Sequence, residues 1–408
     1  MSIAAEPPFL PFARASIGEA EIRAVTRVLE SGWLTMGPVT AKFEDAFRSY
    51  TGAKHAKAVS SCTAALHLAL LAHGVGAGDE VVTSSLTFAA TGNVIEHVGA
   101  RPVFAEVESD TFDIGARTIR ERLTSRTRAV VVVHYGGLPC DLEPVRRLCH
   151  ERRLALIEDA AHAVGACYRD RPIGGHGNTA CFSFYANKNM TTGEGGMLTT
   201  DDEAVAERVQ ELRLHGMSRD AWGRYAAAGS WRYDIDTAGF KCNMTDIAAA
   251  LGLVQLERLD GFIERRAALA ALYRRNLADL PGVRFQHLGQ PGTRHAYHLF
   301  VIRLASAEGA PRRDAVLAAL GAQRVGFSVH FLPLHRMSHY AERWGYRAGD
   351  LPLTERLGEE LLSLPLYPDM GEADVERVAA SVRSAFGKEP WARAESYFSV
   401  PARSGIVP

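Results

Sequence analysis

Apolar residues recur along this chain with two different periods, and each period predicts its own kind of element. In EAEIRAVTRVLESG (19–32) they return every three to four positions and stop at Gly32, which predicts an amphipathic helix closed by a glycine C-cap. SGWLTMGPV (31–39) reads as a loop. SCTAALHLALLAHG (61–74) opens on small hydroxyl residues, passes into an apolar helix and ends at Gly74. Such a helix start presents unpaired backbone N–H groups and the positive end of the helix dipole, a ready anion site. Short β-branched runs then alternate with helical stretches: EVVTSS (80–85), RPVFAEV (101–107), RAVVVVHY (128–135), LALIEDA (154–160), ACFSF (180–184) and MLTT (197–200). Continuous runs of this kind fit strands buried on both faces of a parallel sheet, and the alternation predicts an α/β fold. In such sheets ligands sit beyond the carboxyl ends of the strands, which puts His134, Asp159 and Lys188 in the expected place for chemistry.

Beyond residue 255 the pattern changes. ERRAALAALYRRNLADL (264–280) is an amphipathic helix with arginines on its wet face, HAYHLFVIRL (295–304) reads as a strand, and RRDAVLAALGAQ (312–323) as a helix. The expected division is an N-terminal arm (1–18), a large α/β domain (19–258), a smaller C-terminal α+β domain (259–388) and a tail (389–408) without clear period. The chain shows neither internal repeats nor low-complexity tracts.

Composition narrows the field mainly by exclusion. At 408 residues with 47% apolar and 23% charged residues, the chain has the profile of a globular protein with a large core. A net charge of −1 without any basic tail or charge block gives no reason to expect nucleic acid as a partner. The N-terminal MSIAAEPPFLPF lacks a charged region followed by an apolar run. No apolar stretch approaches the roughly 20 residues needed to cross a bilayer. A cytoplasmic protein without membrane attachment is expected. The cysteines Cys62, Cys140, Cys149, Cys167, Cys181 and Cys242 form no CxxC pair and match no zinc template, so reduced thiols and no metal site are expected.

One bias of composition points at chemistry. Only Lys42, Lys54, Lys57, Lys188, Lys241 and Lys388 are lysines, so the Lys+Arg total of 46 leaves 46 − 6 = 40 arginines. Guanidinium stays protonated and is a poor nucleophile, so a lysine set among small and apolar residues is a candidate for amine chemistry. Lys188, in FSFYANKNMTTGEGG (182–196), has that setting. If its amine forms a Schiff base, pyridoxal phosphate is the natural electron sink, and that cofactor needs three supports: a buried carboxylate at its ring nitrogen, a helix start with hydroxyls at its phosphate, and a flat apolar face. Asp159, at the end of LALIEDA, suits the first role and equally suits a helix N-cap. Ser183 and the turn Cys62–Thr63–Ala64 suit the second, or ordinary capping. Phe88, in SSLTFAATGN, suits the third, or a place in the core. His162 follows Asp159 by three residues, near it on a helix, or is simply structural.

The stretches SGWLTMGP, SSCTAALHLAL, SLTFAATGN, VHYGGLPCDLEPV, IEDAAHAVGA, FSFYANKNMTTGEGGML, GFKCNMTDIAAALGLVQLERLD, HAYHLFVIRL, VHFLPLH and LSLPLYPDM occur in this order across residues 10–387. Together they resemble the DegT/StrS-type sugar aminotransferases, and within these most closely the UDP-4-amino-4-deoxy-L-arabinose aminotransferase branch. The resemblance implies the aspartate aminotransferase-like fold type I of pyridoxal-phosphate enzymes, and transfer of an amino group from L-glutamate to a nucleotide-linked keto sugar. It implies that Lys188 binds the cofactor and moves the proton, that Asp159 pairs with the pyridine nitrogen, that Thr63, Ala64 and Ser183 hold the phosphate, and that Phe88 stacks on the ring. His162 stands where relatives acting at C3 often have Gln and several acting at C4 have His, which favours C4. Asn243, in KCNMTD, matches a residue that reaches the neighbouring subunit's phosphate, implying a homodimer with shared active sites. Trp33, Leu34, Thr35, His330 and Phe331 fall where substrate contacts are expected.

Two departures stand out. Ala186–Asn187 replaces the Pro-Thr that often precedes the family's lysine, and MSRDAWGRYAAAGSWRYDIDT (217–237) is long and rich in Trp, Tyr and Arg, which leaves the identity of the sugar open. Family dehydratases carry His in place of the lysine, so Lys188 argues against dehydration. Amination of a keto-cyclitol or at C3 remains an alternative, as does a non-catalytic sensor that binds cofactor and sugar. GGHGNTA (174–180) precedes a strand instead of following one, the wrong context for a dinucleotide fingerprint, and no HExxH spacing suggests a metallohydrolase.

Overall fold

The computed structural model describes residues 7–217 and 234–387. The start of the N-terminal arm (1–6), most of the Trp-, Tyr- and Arg-rich segment (218–233), Lys388 and the tail 389–408 lie outside the described residues. In chain order the helices are α1 (Glu19–Ser31), α2 (Pro38–Thr51), α3 (Cys62–Ala72), α4 (Ala89–His97), α5 (Ala116–Arg120), α6 (Leu142–Arg152), α7 (Glu203–Leu212), α8 (Asp246–Leu277), α9 (Arg313–Ala322), α10 (Ser338–Trp344), α11 (Pro352–Glu360) and α12 (Glu372–Ser384). The strands are β1 (His55–Val59), β2 (Glu80–Ser84), β3 (Arg101–Ala105), β4 (Thr127–Val133), β5 (Ala155–Asp159), the short pair β6 (Cys167–Tyr168) and β7 (Arg171–Pro172), then β8 (Thr179–Ser183), β9 (Gly196–Thr200), β10 (Val283–Phe285), β11 (Phe300–Leu304) and β12 (Leu361–Leu364).

A seven-stranded sheet in the order β1-β9-β8-β5-β4-β2-β3 forms the centre. Within it only β9 runs against its neighbours, pairing antiparallel with both β1 and β8. The continuous apolar runs are explained by helices on both faces. Ala129, Val131, Ile157 and Cys181 point to the face covered by α3, α4 and α7. Val130, Val132, Ala180 and Phe182, one residue out of phase, meet Phe43 and Phe47 of α2, Leu142 and Val145 of α6, and Leu259 of α8. The alternation of elements anticipates this α/β arrangement, and the family resemblance its fold type I architecture.

The 32-residue α8 joins this core to a second one. Leu256, Leu259 and Ile263 belong to the first core. Leu269, Tyr273 and Leu277 pack with the antiparallel sheet β10-β11-β12, with α9 and α12, and with Leu10. The expected division at residues 258 and 259 thus falls on an uninterrupted helix, and the change of core occurs along it.

Local chemistry accounts for the element ends. Gly32 stops α1 in the left-handed region, φ 72°, as its position in sequence suggests. The loop of residues 31–39 ends earlier than expected, because Pro38 opens α2. Asp246, the first residue of α8, is buried and accepts from the Gly37, Val39 and Thr40 N–H groups at 2.9, 3.1 and 2.8 Å. A carboxylate more than 200 positions away therefore caps α2, which no local pattern can reveal.

Candidate active site

The carboxyl ends of β4, β5 and β8, the turn after β1 and the start of α4 line a cavity of about 430 Å³. Parallel strands end there together, leaving their last polar residues and the helix starts that follow facing one space. Into it project Ser61, Cys62 and Thr63 at the start of α3, Phe88 before α4, Asp159 and His162 after β5, and Ser183 and Lys188 after β8. His298, His330 and Phe331 come from the C-terminal part of the chain.

Lys188 is the reactive candidate. Its Nζ lies 3.5 Å from Nε2 of His298. Burial holds the amine's pKa down at about 8, against the opposing pull of Cys62 and Asp159. An amine with that pKa is neutral in roughly one molecule in ten at pH 7, against roughly one in a few thousand for an ordinary lysine. The lysine-poor composition is thus matched by a site that keeps one lysine usable as a base.

Asp159 ends β5 and is buried. Its Oδ2 accepts from Thr91 Oγ1 at 2.7 Å and its Oδ1 from the Ala161 N–H at 3.2 Å. Burial raises its pKa, with Thr91, Ala161 and Lys188 pulling the other way. A buried carboxylate so placed gains from a cation set against it, such as a protonated ring nitrogen.

The start of α3 supplies the anion end. Ser61 Oγ accepts from the Ala64 N–H at 3.1 Å, so Ser61 caps α3 and takes up the Ala64 amide, while Thr63 lines the cavity. Ser183 Oγ accepts from Tyr185 N–H at 3.3 Å on the far wall. Glycine is required beside this cradle: a Cβ on Gly196 would lie 2.5 Å from the Ser61 carbonyl carbon and 2.6 Å from the Cys62 nitrogen. A side chain there would push β9 away from the helix start. Phe88, 64% exposed, offers a ring whose centroid is 6.3 Å from that of Phe331.

Three imidazoles surround the amine. His162 Nδ1 accepts from the Gly136 N–H at 3.3 Å, which leaves its proton on Nε2. Its ring packs on Phe331 (6.0 Å, 15°) and on His298 (4.4 Å, 40°). His330 Nδ1 is 2.8 Å from Ser363 Oγ, and its carbonyl accepts from the Tyr135 hydroxyl. Burial, then Lys188, pushes His162 and His298 well below the usual imidazole pKa and His330 to about 4. All three are therefore neutral beside Lys188.

Other expected residues stand elsewhere in the chain. Trp33 lines a surface groove with Arg23, Arg27 and Lys42, Leu34 is 43% exposed, and the Thr35 carbonyl accepts from the Asp246 N–H at 3.2 Å. Asn243 bonds Lys241 and the Met244 carbonyl, away from the cavity lining. His134 is fully buried outside the cavity: its Nδ1 accepts from the Cys140 N–H at 3.1 Å and its Nε2 donates to Glu158 at 2.9 Å. Conversely, Thr91 and His298 belong to the site, and sequence reasoning missed their roles although both lie inside quoted stretches.

The chemistry of this donor set fits one cofactor. A lysine amine of lowered pKa, a buried carboxylate, an anion cradle and an aromatic face at a single cavity are what pyridoxal 5′-phosphate requires. Two buried polar atoms at the same cavity, Asn187 Oδ1 and His298 Nδ1, have no partner among the described residues. Fold and site together define an aminotransferase dependent on pyridoxal phosphate. Residues 15–383 match the model of the DegT/DnrJ/EryC1/StrS aminotransferase family, and the chain belongs to that family of sugar aminotransferases. It is 46% identical over 376 residues to the spore coat polysaccharide biosynthesis protein SpsC of Bacillus subtilis, covering 92% of this chain and 96% of that one. The aminotransferase TlmJ from Streptoalloteichus hindustanus superposes with a TM-score of 0.85 at 37% identity, over 93% of this chain and 99% of its own. Spr1654 from Streptococcus pneumoniae, solved in PLP and PMP forms, gives 0.86 for its PMP form at 32% identity, over 92% and 99%. No helix among the described residues is long and apolar enough to cross a membrane.

Proposed function

We propose that the protein transfers an amino group from L-glutamate to C4 of a nucleotide-linked keto sugar, with Lys188 as the proton carrier. The observation that carries this reading is the Lys188 amine, its pKa lowered by burial to about 8, in the same cavity as the buried Asp159 carboxylate and the start of α3. Pyridoxal phosphate, when bound, supplies an aldehyde for amines and a ring that accepts the electron pair of a broken C–H bond. Asp159 would hold the ring nitrogen protonated, with Thr91 fixing one carboxylate oxygen and the Ala161 N–H the other. Thr63 and Ser183 would anchor the phosphate, and Phe88 would cover one face of the ring. The neutral Lys188 amine would take the proton from the donor's Cα and deliver it to the cofactor's aldehyde carbon, on the other side of the nitrogen between them; the sugar half-reaction would run these steps backwards. His330 and Phe331, on the cavity wall, are the substrate contacts of this reading.

The choice of C4 rests on His162, the residue type found at this place in several relatives that aminate C4. A polysaccharide sugar is the product class suggested by the name of SpsC, with an antibiotic sugar as the alternative. Asn243 lies outside the cavity of its own chain, which suits a residue reaching a partner's phosphate, and the reading includes a homodimer with shared sites and a cytoplasmic location; Trp33, Leu34 and Thr35, the other substrate contacts of this reading, also lie outside the cavity of their own chain. The test is the visible spectrum of cofactor-loaded protein before and after L-glutamate. Bleaching of the band with release of 2-oxoglutarate, absent in Lys188→Ala, supports the donor half. Turnover of UDP- or dTDP-linked 4-keto sugars then supports the acceptor half. A band that no amino acid bleaches would refute transamination and leave a cofactor-binding sensor.

A further inference from the structure

We infer that His298 is a positioning residue for Lys188, whose Nε2 receives the lysine amine whenever that amine is not bonded to the cofactor. The inference rests on the reading of Lys188 given above and extends it to a residue that the sequence left inside a strand. The geometry begins with a glycine turn. Gly136 and Gly137 follow β4 at φ 66° and 100°. A Cβ on Gly137 would stand 2.8 Å from the His162 carbonyl oxygen and 3.0 Å from the His298 nitrogen, so only glycine lets the segment before β11 come this close. That segment is clamped there: the Ala296 N–H donates to Gly137 O at 2.8 Å and the Leu299 N–H to Gly136 O at 3.0 Å. Asn189, which directly follows Lys188 in sequence, donates from Nδ2 to Ala296 O at 2.6 Å. The buried Arg266 donates to the His298 carbonyl at 3.4 Å and to the Leu366 carbonyl at 2.7 Å. The imidazole is thus delivered to the amine by a rigid frame, 3.5 Å from Nζ.

The imidazole's own hydrogen bonding tells against a purely structural role. An Nε2 that accepts from the amine leaves the ring proton on Nδ1. Nδ1 is buried and has no partner among the described residues. Leaving a buried donor unpaired costs stability, and such groups in folded proteins call for an explanation. Here the ring is held with its accepting edge toward the amine although its donating edge goes unsatisfied. A lysine released from its cofactor bond would otherwise swing among rotamers, and an acceptor of fixed position returns it to the same point each cycle.

The test reads the amine itself. The groups that act on it are Cys62 from α3, Asp159 from β5, His162, His298 and His330. With only six lysines in the chain, 13Cε-lysine labelling of the full-length, cofactor-stripped protein gives a simple spectrum, and Lys188→Arg assigns the signal. The parent should titrate near 8. A hydrogen bond to the ammonium form favours it, so His298→Ala should move the midpoint down by ~1 pH unit, while His298→Gln, whose amide oxygen reaches the Nε2 position, should hold it. A pocket merely loosened by the substitution would admit water and move the midpoint up, toward the ordinary value of 10.5. An upward or absent change in His298→Ala, or His298→Gln behaving like His298→Ala, overturns the inference. If His298→Ala does not fold, His298→Asn, whose amide ends short of Nε2, takes its place. Failure of the Lys188 reading is separate: it would show as a visible cofactor band that survives in Lys188→Arg.

Discussion

Thr91→Val is the sharpest perturbation of the cofactor site, because it removes one hydroxyl at nearly constant volume. Thr91 is fully buried, and its Oγ1 gives its proton to Asp159 Oδ2 at 2.7 Å. The hydroxyl has a single hydrogen, so the 2.8 Å contact with Thr87 Oγ1 must be donated by Thr87. Valine therefore strips Asp159 Oδ2 of its hydroxyl hydrogen bond, leaving the carboxylate with the Ala161 N–H and the long Cys62 thiol contact at Oδ1, and leaves the Thr87 hydroxyl without its acceptor. A hydrogen bond to a charged group contributes ~1.5–3 kcal/mol, which corresponds to a ~10- to 150-fold weaker hold on a cofactor whose ring nitrogen depends on that carboxylate. The pH dependence has a definite sign. Burial already raises the Asp159 pKa, and losing a donor that favours the anion raises it further. More of the carboxyl is then protonated at low pH, so the loss of affinity should deepen as pH falls. Cofactor dissociation constants from the visible absorbance, measured at several pH values, provide the assay. A Thr91→Val protein that binds pyridoxal phosphate as tightly as the parent at every pH would refute the assignment of Asp159 as the ring-nitrogen partner supported by Thr91.

Three further outcomes follow from the same geometry. In the stripped protein, the rate at which Lys188 captures added pyridoxal should rise about tenfold per pH unit below its pKa of about 8 and level off above it, since only the neutral amine reacts; a profile still climbing toward 10.5 would contradict the burial argument. Gly137→Ala combines a left-handed φ of 100° with a 2.8 Å approach to the His162 carbonyl, and should cost ~1–3 kcal/mol in denaturant unfolding while weakening the donor half-reaction, because the same turn places both His162 and His298. Arg266→Met leaves the Tyr297, His298 and Leu366 carbonyls without the guanidinium that bonds them, so an unfolding midpoint shift equivalent to roughly 3 kcal/mol or more is expected, and an unchanged midpoint would show that these carbonyls find other partners.

Much of the sheet could be read directly, since β2, β3, β4, β5, β8 and β9 all fall on apolar runs visible in the chain. The strand that was missed and the direction that was not legible are instructive. β1, HAKAV, carries a histidine and a lysine that break the apolar run, and only pairing with β9 makes it a strand. The antiparallel course of β9 leaves no trace in MLTT, because a strand buried on both faces has the same composition in either direction. α2 begins where a loop was expected, its capping group lying on α8.

The candidate site divides along the same line. Lys188, Asp159, Ser183, Phe88 and Thr63 were nameable because each follows a strand or opens a helix, and local order alone puts such residues at the carboxyl edge of a parallel sheet. Their chemistry is likewise written in residue type: an amine, a carboxylate, hydroxyls and an aromatic ring. What only the tertiary structure decided is the environment that makes those groups useful. Thr91 reaches Asp159 across 68 positions of sequence and His298 reaches Lys188 across 110. His134, which local order also places after a strand, is instead locked to Glu158 and the Cys140 N–H. Burial sets the protonation of Lys188, Asp159 and the three histidines, and burial is a property of the packed chain, not of any segment. Residue identity and strand order therefore determined which groups are present at the cavity, whereas desolvation and long-range hydrogen bonds, which exist only once the sheet and the C-terminal part have closed together, decided which of them are neutral, oriented and ready to react.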